Sequence, residues 1–415
     1  MTDRTNGFQR DCRICNNKDF SSIVNLGFTP PSDAFLKEDQ LQEPEIFYPT
    51  ELRICNVCSL VQLSYVVPPE ILFQRDYPYD MSVTKTGGNH FENIGQHIKN
   101  KFKFKKESLA VDIGSNTGVL LNGFKKMGFN VLGVEPAKNM YNVAQKNGID
   151  TINDFFNTSS AKKIIESKKY AKIITATNVF AHINDIKSVV KNMDTILADK
   201  GIIMIEAPYL LDLFQKVMYD TIYHEHLSYL SLKPLETLFS QYNFQLFDLE
   251  KVDMHGGSYR YFIARKGDYP ITKELKEAIK IENNKLYNAK TLKTFTNSVK
   301  QHRHDLNWML TDLKHKGKSV AGISAPAKGT ALLNYCGIGP NILDFITELS
   351  EFKIGRYTPG THIPVIPDDE LIEKMPDYAL LLAWNFAKPI MRKLNRYKEK
   401  GGKFIIPIPK PQIIG

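Results

Sequence analysis

Residues 108–136 restrict the possible folds of this chain more than any other stretch. "SLAVDIG" (108–114) has the apolar content of a buried strand, and it leads through "SNTG" into a helical pattern. A second apolar segment, "NVLGVEP" (130–136), follows that helix. Strands that alternate with helices in this way pair in parallel. The sequence therefore predicts an α/β fold built on a parallel sheet.

The same alternation continues to about residue 265. Further strands are predicted in "AKIITATN" (171–178) and "GIIMIEAP" (201–208), and "QLFDLEKVD" and "SYRYFIARK" are typical of an antiparallel edge. Amphipathic helices are expected near residues 89–103, 118–127, 137–147 and 186–198. We therefore predict a Rossmann-like domain over residues 73–270.

The glycine loop and the acidic residue after the second strand indicate a nucleoside cofactor. Gly114 and Gly118 allow the backbone to approach a ligand at a helix N-terminus, and Glu135 can accept hydrogen bonds from both ribose hydroxyls. Because Asn116 interrupts the G-x-G-x-x-G fingerprint, the motif favours S-adenosylmethionine over NAD. The predicted cofactor-binding residues are Asp112, Gly114, Ser115, Asn116, Gly118, Glu135 and Asn178.

Two CxxC motifs, "CRIC" and "CNVC", precede the α/β domain. In a cytosolic chain, pairs with this spacing favour a metal over disulfides, although two unrelated redox or buried cysteine pairs are the alternative. Four thiolates complete a tetrahedral zinc shell and leave no open position, which is typical of a structural site. We predict a zinc-binding domain over residues 1–72, with the ligands Cys12, Cys15, Cys55 and Cys58.

Polarity and charge indicate where the protein acts and on what. Residues 1–11 are polar, and the longest apolar runs, such as "YALLLAW" (378–384), are too short to cross a bilayer, so we expect a cytoplasmic protein. The net charge of +9 suits an anionic partner, either nucleic acid or a nucleotide-linked small molecule. "KNKFKFKK" (99–106) is interpreted mainly as a solvated helix end, with a nucleic-acid patch as the alternative.

Residues 271–415 are predicted to form a helical connector, up to about residue 315, and a second Rossmann-like domain. The second domain begins with "KSVAGIS" (318–324), and "GISAPAKGTALLN" then joins a lysine to a helix N-terminus, which suits a pyrophosphate. Charges near the "PGTHIP" loop (359–364) are phosphate candidates or solvated charges on a turn. The predicted substrate-binding residues are Lys328, Asn334, Lys353, Arg356 and His362.

"TIYHEHLSYLS" (221–231) places several titratable groups in consecutive positions after a strand and a helix. Loops at this edge of a parallel sheet meet ligands. The segment is a general base with a carboxylate that fixes its tautomer, an exposed or structural stretch, or part of a metal site. Residue types alone favour the general base, since a third metal ligand at a recognisable spacing is missing.

The order of motifs along essentially the whole chain resembles the three-domain sugar C-methyltransferases, such as those that methylate tetronitrose and mycarose. The cysteine module, "DIGSNTG", "NVFAHI", "YHEHLSYLS", "AKGTALLN", "PGTHIPV" and "LAWNF" carry this resemblance. It implies that the protein uses S-adenosylmethionine to methylate the carbon next to the ketone of a dTDP- or GDP-linked 4-keto-6-deoxy sugar, and we expect it to act as a monomer. C3 is favoured over C5.

The resemblance also implies the roles of individual residues. His226 is the general base, Glu225 orients its imidazole, and Tyr223, Tyr77 or His182 donates toward the enolate oxygen. Proton removal from one face and methyl delivery to the other would invert C3. Tyr77 as a packing aromatic and His182 as a helix cap are the structural alternatives.

Two functions of other classes compete with this prediction. One is an NAD-dependent nucleotide-sugar dehydrogenase or epimerase, for which Asn116 is unfavourable. The other is a nucleic-acid-binding methyltransferase, prompted by the cysteines and the charge, although the resemblance implies that nucleic acid is not a partner.

Overall fold

A computed structural model of the protein describes residues 5–73, 85–168, 170–252 and 256–415. The N-terminal part is a small antiparallel sheet in which β3 lies between β2 and β4. Each CxxC turn is followed by a residue with positive φ, Asn16 at 58° and Ser59 at 66°, which tightens the two knuckles. The elements are β1 (Gly7–Phe8), β2 (Phe20–Thr29), β3 (Tyr48–Cys55), β4 (Val61–Leu63), β5 (Tyr65–Val66) and α1 (Pro69–Phe73).

The central part is a seven-stranded sheet with helices on both faces. Its elements are α2 (Lys85–Phe102), β6 (Leu109–Ile113), α3 (Val119–Lys126), β7 (Asn130–Val134), α4 (Lys138–Lys146), β8 (Thr151–Ile152), α5 (Thr158–Lys168), β9 (Ala171–Thr177), α6 (Ile186–Ile196), β10 (Leu197–Pro208), α7 (Leu210–Gln215), β11 (Ser228–Tyr229), α8 (Leu232–Ser240), β12 (Phe244–Val252) and β13 (Ser258–Arg265). The strand order is β12-β13-β10-β9-β6-β7-β8. This order confirms the predicted Rossmann-like sheet.

The antiparallel edge of this sheet is also confirmed, since β13 runs antiparallel to both β10 and β12. The strand order changes direction between β6 and β9, where a crevice opens at the carboxyl ends of parallel strands. The short strand β11 leaves the central sheet and pairs with β4. The chain on either side of β11 is thereby joined to the N-terminal module.

The C-terminal part forms a second α/β sheet and confirms that prediction. Its elements are α9 (Lys273–Lys285), α10 (Ala289–His315), β14 (Val320–Ile323), α11 (Ala327–Cys336), β15 (Ile346–Glu348), β16 (Val365–Pro367), α12 (Glu370–Lys374), β17 (Tyr378–Leu381), α13 (Ala387–Lys393), α14 (Asn395–Glu399), β18 (Lys403–Ile406) and β19 (Gln412–Ile414). The order β16-β15-β14-β17-β18-β19 is parallel except at β19. Its change of direction falls between β14 and β17.

Helix α10 packs against both neighbouring parts of the chain. It begins at the N-cap Asn288, whose side chain accepts a hydrogen bond from the Thr291 amide at 2.8 Å. Its apolar face joins one hydrophobic cluster with residues of β2, α7 and the C-terminal sheet. The buried positions on this helix are Phe295, Val299, His302, Leu306, Leu310 and Leu313.

The remaining apolar core lies on the two faces of the central sheet. One face packs against α5, α6 and α8 and includes the cysteine knuckles. The other is covered by α2 and α3, where Gly95 and Gly123 let the two helices approach closely. In the parts of the chain described above, each helix is too short or too polar to cross a membrane.

Candidate functional site

A cavity of about 760 Å³ lies where the three parts of the chain meet. The carboxyl ends of the central strands form one wall, and residues after β14 and β17 of the C-terminal sheet form another. The N-terminal module contributes Asp33, Val66, Val67 and Pro69. The volume is within the range of small-molecule sites.

The glycine loop after β6 forms one end of this cavity. Gly114 has a φ of 70°, and a Cβ atom built on it would lie only 2.8 Å from the Val179 Cγ2 atom. The Glu135 carboxylate accepts the backbone amides of Asn116 and Ala137, each at 2.8 Å. Burial raises the pKa of Glu135, and the two amides oppose this shift. A glycine cradle beside a carboxylate fits the nucleoside part of S-adenosylmethionine.

The seven predicted cofactor residues occupy two layers. Gly114, Asn116, Glu135 and Asn178 line the cavity. The other three, Asp112, Ser115 and Gly118, do not line the cavity: the first two are fully buried, and the third packs against Ile149.

Asp112 accepts a hydrogen bond from the Thr175 hydroxyl at 2.6 Å, and burial raises its pKa to about 7. Its second oxygen, Oδ2, makes no hydrogen bond within the described residues. The carboxyl therefore joins β6 to β9 directly before the glycine loop.

His226 lines the cavity beside the glycine loop and is fixed by a backbone carbonyl. Its Nδ1 atom lies 2.7 Å from the Thr221 oxygen. Because a carbonyl can only accept, Nδ1 carries the proton of the neutral ring and Nε2 keeps the lone pair. Burial and the charge of Lys328 lower the His226 pKa to about 4. The Thr221 carbonyl thus orients the imidazole, which is the role that the sequence analysis gave to Glu225.

Aromatic rings surround the His226 imidazole. The ring centroids of Tyr223, His182 and Tyr229 lie 4.2, 5.0 and 6.3 Å from it. The helix-cap interpretation of His182 is wrong, because Asp185 caps α6 by accepting the Ser188 amide. Tyr77 lies outside the described residues.

His224 belongs to a different environment from His226. Its Nε2 atom lies 3.2 Å from the Tyr48 carbonyl oxygen and 3.0 Å from the Thr50 hydroxyl, both in β3. Within the described ranges, the four paired cysteines form the only group of three or more residues that could hold a metal ion. The metal interpretation of "YHEH" therefore has no support, and His224 joins its loop to the N-terminal module.

Glu225 is 6% exposed and meets charges from both other parts of the chain. Burial raises its pKa to about 8, the charge of Asp33 adds to this, and Lys353 opposes it. Lys353 Nζ lies 2.8 Å from Asp33 Oδ1 and donates to the Ala325 carbonyl at 2.8 Å. These side chains line the polar end of the cavity.

The predicted substrate-binding residues separate into two groups. Lys328 and Lys353 line the cavity, and Lys328 Nζ donates to Asn385 Oδ1 at 2.9 Å. The other three, Asn334, Arg356 and His362, do not line the cavity, and their side chains pair with residues elsewhere in the protein.

Arg356 donates to the Phe35 carbonyl at 3.5 Å, and His362 Nε2 lies 3.0 Å from Glu45 Oε2, so both face the N-terminal module. Asn334 donates to the Pro359 carbonyl at 3.0 Å and supports the "PGTHIP" loop.

Sequence reasoning missed Asp33, Thr221 and Asn385. Asp33 is part of the turn-rich "PPSDAFL", which matches no chemical motif. Thr221 contributes its main-chain carbonyl, which any residue type could provide. Asn385 lies in "LAWNF", which supported the resemblance but carried no residue-level signal.

The four cysteines of the two knuckles converge. The Sγ atoms of Cys12 and Cys58 are 3.4 Å apart, those of Cys15 and Cys55 are 3.5 Å apart, and all four lie within 4.8 Å of one another. The hydrogen bond from Cys58 lowers the Cys12 pKa to about 5, which favours a thiolate. Four sulfur ligands at this spacing fit a closed tetrahedral zinc site.

The knuckle also reaches the cavity wall. Arg13, between Cys12 and Cys15, is fully buried and donates to the Asn184 side chain at 3.2 Å. Asn184 lies in the loop that follows His182 and lines the cavity. The cysteine cluster therefore stabilises a loop of the site without lining it.

Three protein families match consecutive parts of this chain. Residues 12–73 match "Putative zinc binding domain", residues 91–249 match "Methyltransferase domain", and residues 253–409 match "C-methyltransferase C-terminal domain". Over 97% of its length, the chain is 33% identical to the C-methyltransferase NovU of Streptomyces niveus, of which 96% is covered.

Two further similarities each cover less than half of this chain. An uncharacterized methyltransferase of Alkaliphilus oremlandii is 25% identical over 46% of this chain and 88% of its own length. The crystal structure of the plantazolicin methyltransferase BpumL, in complex with a pentazolic desmethylPZN analog and SAH, matches 44% of this chain and 87% of its own, with 13% identity and a TM-score of 0.35.

Proposed function

This chain belongs to the family of S-adenosylmethionine-dependent C-methyltransferases, and we propose that it methylates C3 of a nucleotide-linked 4-keto-6-deoxy sugar. The NAD-dependent alternative is wrong, because the relative that matches 97% of the chain is a C-methyltransferase and residues 91–249 match a methyltransferase domain. One observation carries the proposed mechanism: His226 lines a cavity shared with the glycine loop, with its Nδ1 atom held by the Thr221 carbonyl.

Gly114, Asn116, Glu135 and Asn178 would hold the cofactor, since they line the cavity at the carboxyl ends of the central strands. When bound there, S-adenosylmethionine supplies an electrophilic methyl group on a sulfonium. Glu135 would bind the ribose hydroxyls, and Gly114 would let the backbone lie close to the ligand.

The base is His226, which takes the proton from C3 at Nε2. With a pKa of about 4, its imidazole is neutral at physiological pH, so the lone pair is available before substrate binds. When the ring is protonated, Nδ1–H stays hydrogen-bonded to the Thr221 carbonyl, which stabilises the cation. Removal of the proton from the face opposite methyl delivery predicts inversion at C3.

A proton next to a ketone is weakly acidic, so the enolate oxygen needs hydrogen-bond donors. Tyr223 and His182, whose rings lie 4.2 and 5.0 Å from that of His226, are the described candidates, and Tyr77 remains a prediction. Burial and the negative charge of Asp33 favour the protonated form of Glu225 at neutral pH. We assign Glu225 as a donor to a substrate oxygen, in place of the orienting role expected from the sequence.

The nucleotide would bind toward the C-terminal sheet. Lys328 lies in the first turn of α11, lines the cavity, and stays close enough to His226 to affect its pKa. A lysine at a helix N-terminus suits the pyrophosphate of a dTDP- or GDP-linked sugar. The sugar would then lie between Lys328 and the glycine loop, with C3 facing His226.

The test is methyl transfer from labelled S-adenosylmethionine to a panel of dTDP- and GDP-linked 4-keto-6-deoxy sugars. We expect label at C3 of one of them, and solvent-deuterium exchange at the same carbon in the absence of methyl donor. His226→Asn should reduce both reactions by about 10²- to 10⁴-fold. Affinity for S-adenosylhomocysteine should stay unchanged.

The matched control is His304→Asn, because His304 is exposed on α10. It should retain wild-type rates. Methylation of a nucleic acid instead of any sugar, or wild-type exchange by His226→Asn, would contradict the proposal.

A further inference from the structure

We propose that Trp384 of the C-terminal part is a positioning residue for His226, acting through Asp220 and the Thr221 carbonyl. The inference rests on the proposed role of His226 as the base. Trp384 lies in a 3-10 turn after β17, whereas Asp220 and Thr221 belong to a 3-10 turn directly before the "YHEH" segment. The contact therefore joins the two sheets that enclose the cavity.

A short hydrogen bond joins Trp384 to the fully buried Asp220 carboxyl. The indole Nε1–H donates to Asp220 Oδ2 at 2.6 Å, and Asp220 has no exposed surface. Burial raises the Asp220 pKa to about 6, while the charge of Lys328, the indole and the backbone amides of Asp220 and Thr221 oppose the shift. The carboxyl thus interacts with the C-terminal part through Oδ2, and the turn that carries it is closed by the Thr221 amide, which donates to the Met218 carbonyl at 3.2 Å.

The neighbouring residue of the same turn is fixed from the same side. The Tyr219 hydroxyl lies 3.0 Å from His302 Nδ1 and 3.3 Å from Cys336 Sγ. His302 Nε2 donates to the Pro407 carbonyl at 2.7 Å, so Nδ1 is left to accept from Tyr219. Two consecutive residues of the turn are therefore held by side chains from residues 289–415.

The position of this turn determines where the Thr221 oxygen lies. That oxygen accepts from His226 Nδ1 at 2.7 Å and from the Tyr229 hydroxyl at 3.2 Å. If the turn rotates, the acceptor leaves Nδ1 and the neutral imidazole is free to carry its proton on Nε2 instead. In that tautomer the lone pair faces away from the substrate, and the base is lost without any change in His226 itself.

The experiment compares Trp384→Phe with Trp308→Phe in the full chain. These are the two tryptophans of the sequence, and Trp308 is 67% exposed on α10. Nitrogen-15 NMR of histidine-labelled protein reports the tautomer of His226, which is assigned with His226→Asn. Methyl transfer to the active 4-keto sugar gives kcat, and titration with S-adenosylhomocysteine gives cofactor affinity.

For Trp384→Phe we expect the single Nδ1–H form of His226 to become a mixture of tautomers. We expect kcat to fall about 10- to 100-fold, as for a small misplacement of a catalytic group, with cofactor affinity within twofold of wild type. Trp308→Phe should match wild type in all three measurements. A folded Trp384→Phe protein with an unchanged tautomer overturns the inference.

Variants of Asp220 test the same contact if Trp384→Phe does not fold. Asp220→Asn keeps an oxygen that can accept from the indole and should preserve the tautomer, whereas Asp220→Leu should lose it. An unchanged tautomer in Asp220→Leu refutes the link. If the tautomer changes but His226→Asn still turns over, the positioning stands and the proposed base is wrong.

Discussion

Lys353 and Asp33 form an ion pair across the wall of the cavity, with 2.8 Å between Nζ and Oδ1. Their side chains are 11% and 16% exposed, so both charges are largely shielded from water. Asp33 belongs to the N-terminal module and Lys353 to the C-terminal part, and Glu225 of the central part lies in the field of both. One polar contact therefore joins all three parts of the chain at the site.

Asp33→Asn should lower the free energy of unfolding by about 1–3 kcal/mol, because it leaves a mostly buried ammonium group without its charged partner. Denaturant unfolding of the full chain measures this change. The control is Asp312→Asn, which removes an exposed i, i+4 ion pair with Lys316 and should change stability by less than about 0.5 kcal/mol. Equal losses of unfolding free energy in the two variants would show that the Lys353–Asp33 pair stabilises the fold no more than an exposed ion pair does.

The pH dependence of turnover should follow the lowered pKa of His226. The base acts as the neutral ring, so kcat/KM should stay level from about pH 7 down to about 5.5, and above about pH 7 it should fall as the protonated Glu225 donor, with a pKa of about 8, becomes ionised. It should also fall as the pH drops through about 4, where the ring becomes protonated. Rates measured after return from each pH to neutrality separate titration from unfolding. An acid limb centred near the ordinary histidine pKa would contradict the described burial.

Gly114→Ala should weaken the binding of S-adenosylhomocysteine by about tenfold or more. The new Cβ would lie 2.8 Å from the Val179 Cγ2 atom and would displace the glycine loop that cradles the ligand. Isothermal titration gives the affinity. The control is Gly317→Ala, whose φ of 69° matches the 70° of Gly114, although no atom lies within 4 Å of its new Cβ. It should lose about 1 kcal/mol of stability and keep its cofactor affinity.

Cys58→Ser should release the zinc ion and lower the melting temperature. Metal analysis of the wild type should give one zinc per chain, and the free energy of binding is coupled to folding of the N-terminal module. Cys336→Ser is the control, since this buried cysteine lies outside the cluster and its variant should keep the metal. If Cys58→Ser retains stoichiometric zinc, these thiols are not the ligands.

The glycine loop and the zinc knuckles could be predicted because local sequence determines them. Gly114 follows a buried apolar strand, and Glu135 ends the next one, so parallel pairing alone brings them together. Each cysteine pair likewise forms its own tight turn, which can direct two thiolates toward one ion. The base His226 required the resemblance, since the residue types in "YHEH" left three interpretations open.

The remainder of the site depends on contacts between distant segments. The sequence assigned Arg356 and His362 to phosphate, but the structure pairs them with Phe35 and Glu45, more than 300 positions earlier. The acceptor that fixes His226 is a main-chain oxygen, which leaves no trace in residue types. The sequence analysis interpreted residues 271–315 as a polar connector. It missed the buried apolar face of α10, because charged side chains on the other faces of this helix dominate the pattern.

The Glu45 carboxylate accepts a hydrogen bond from the Gly360 amide at 2.8 Å and lies 3.0 Å from His362 Nε2. The N-terminal module therefore binds the "PGTHIP" loop of the C-terminal part. In a hybrid enzyme, a transplanted C-terminal unit would bring a lysine and a histidine whose carboxylate partners lie at residues 33 and 45. A working hybrid must therefore import residues 30–48 from the same donor, even though they belong to the metal-binding end of the polypeptide.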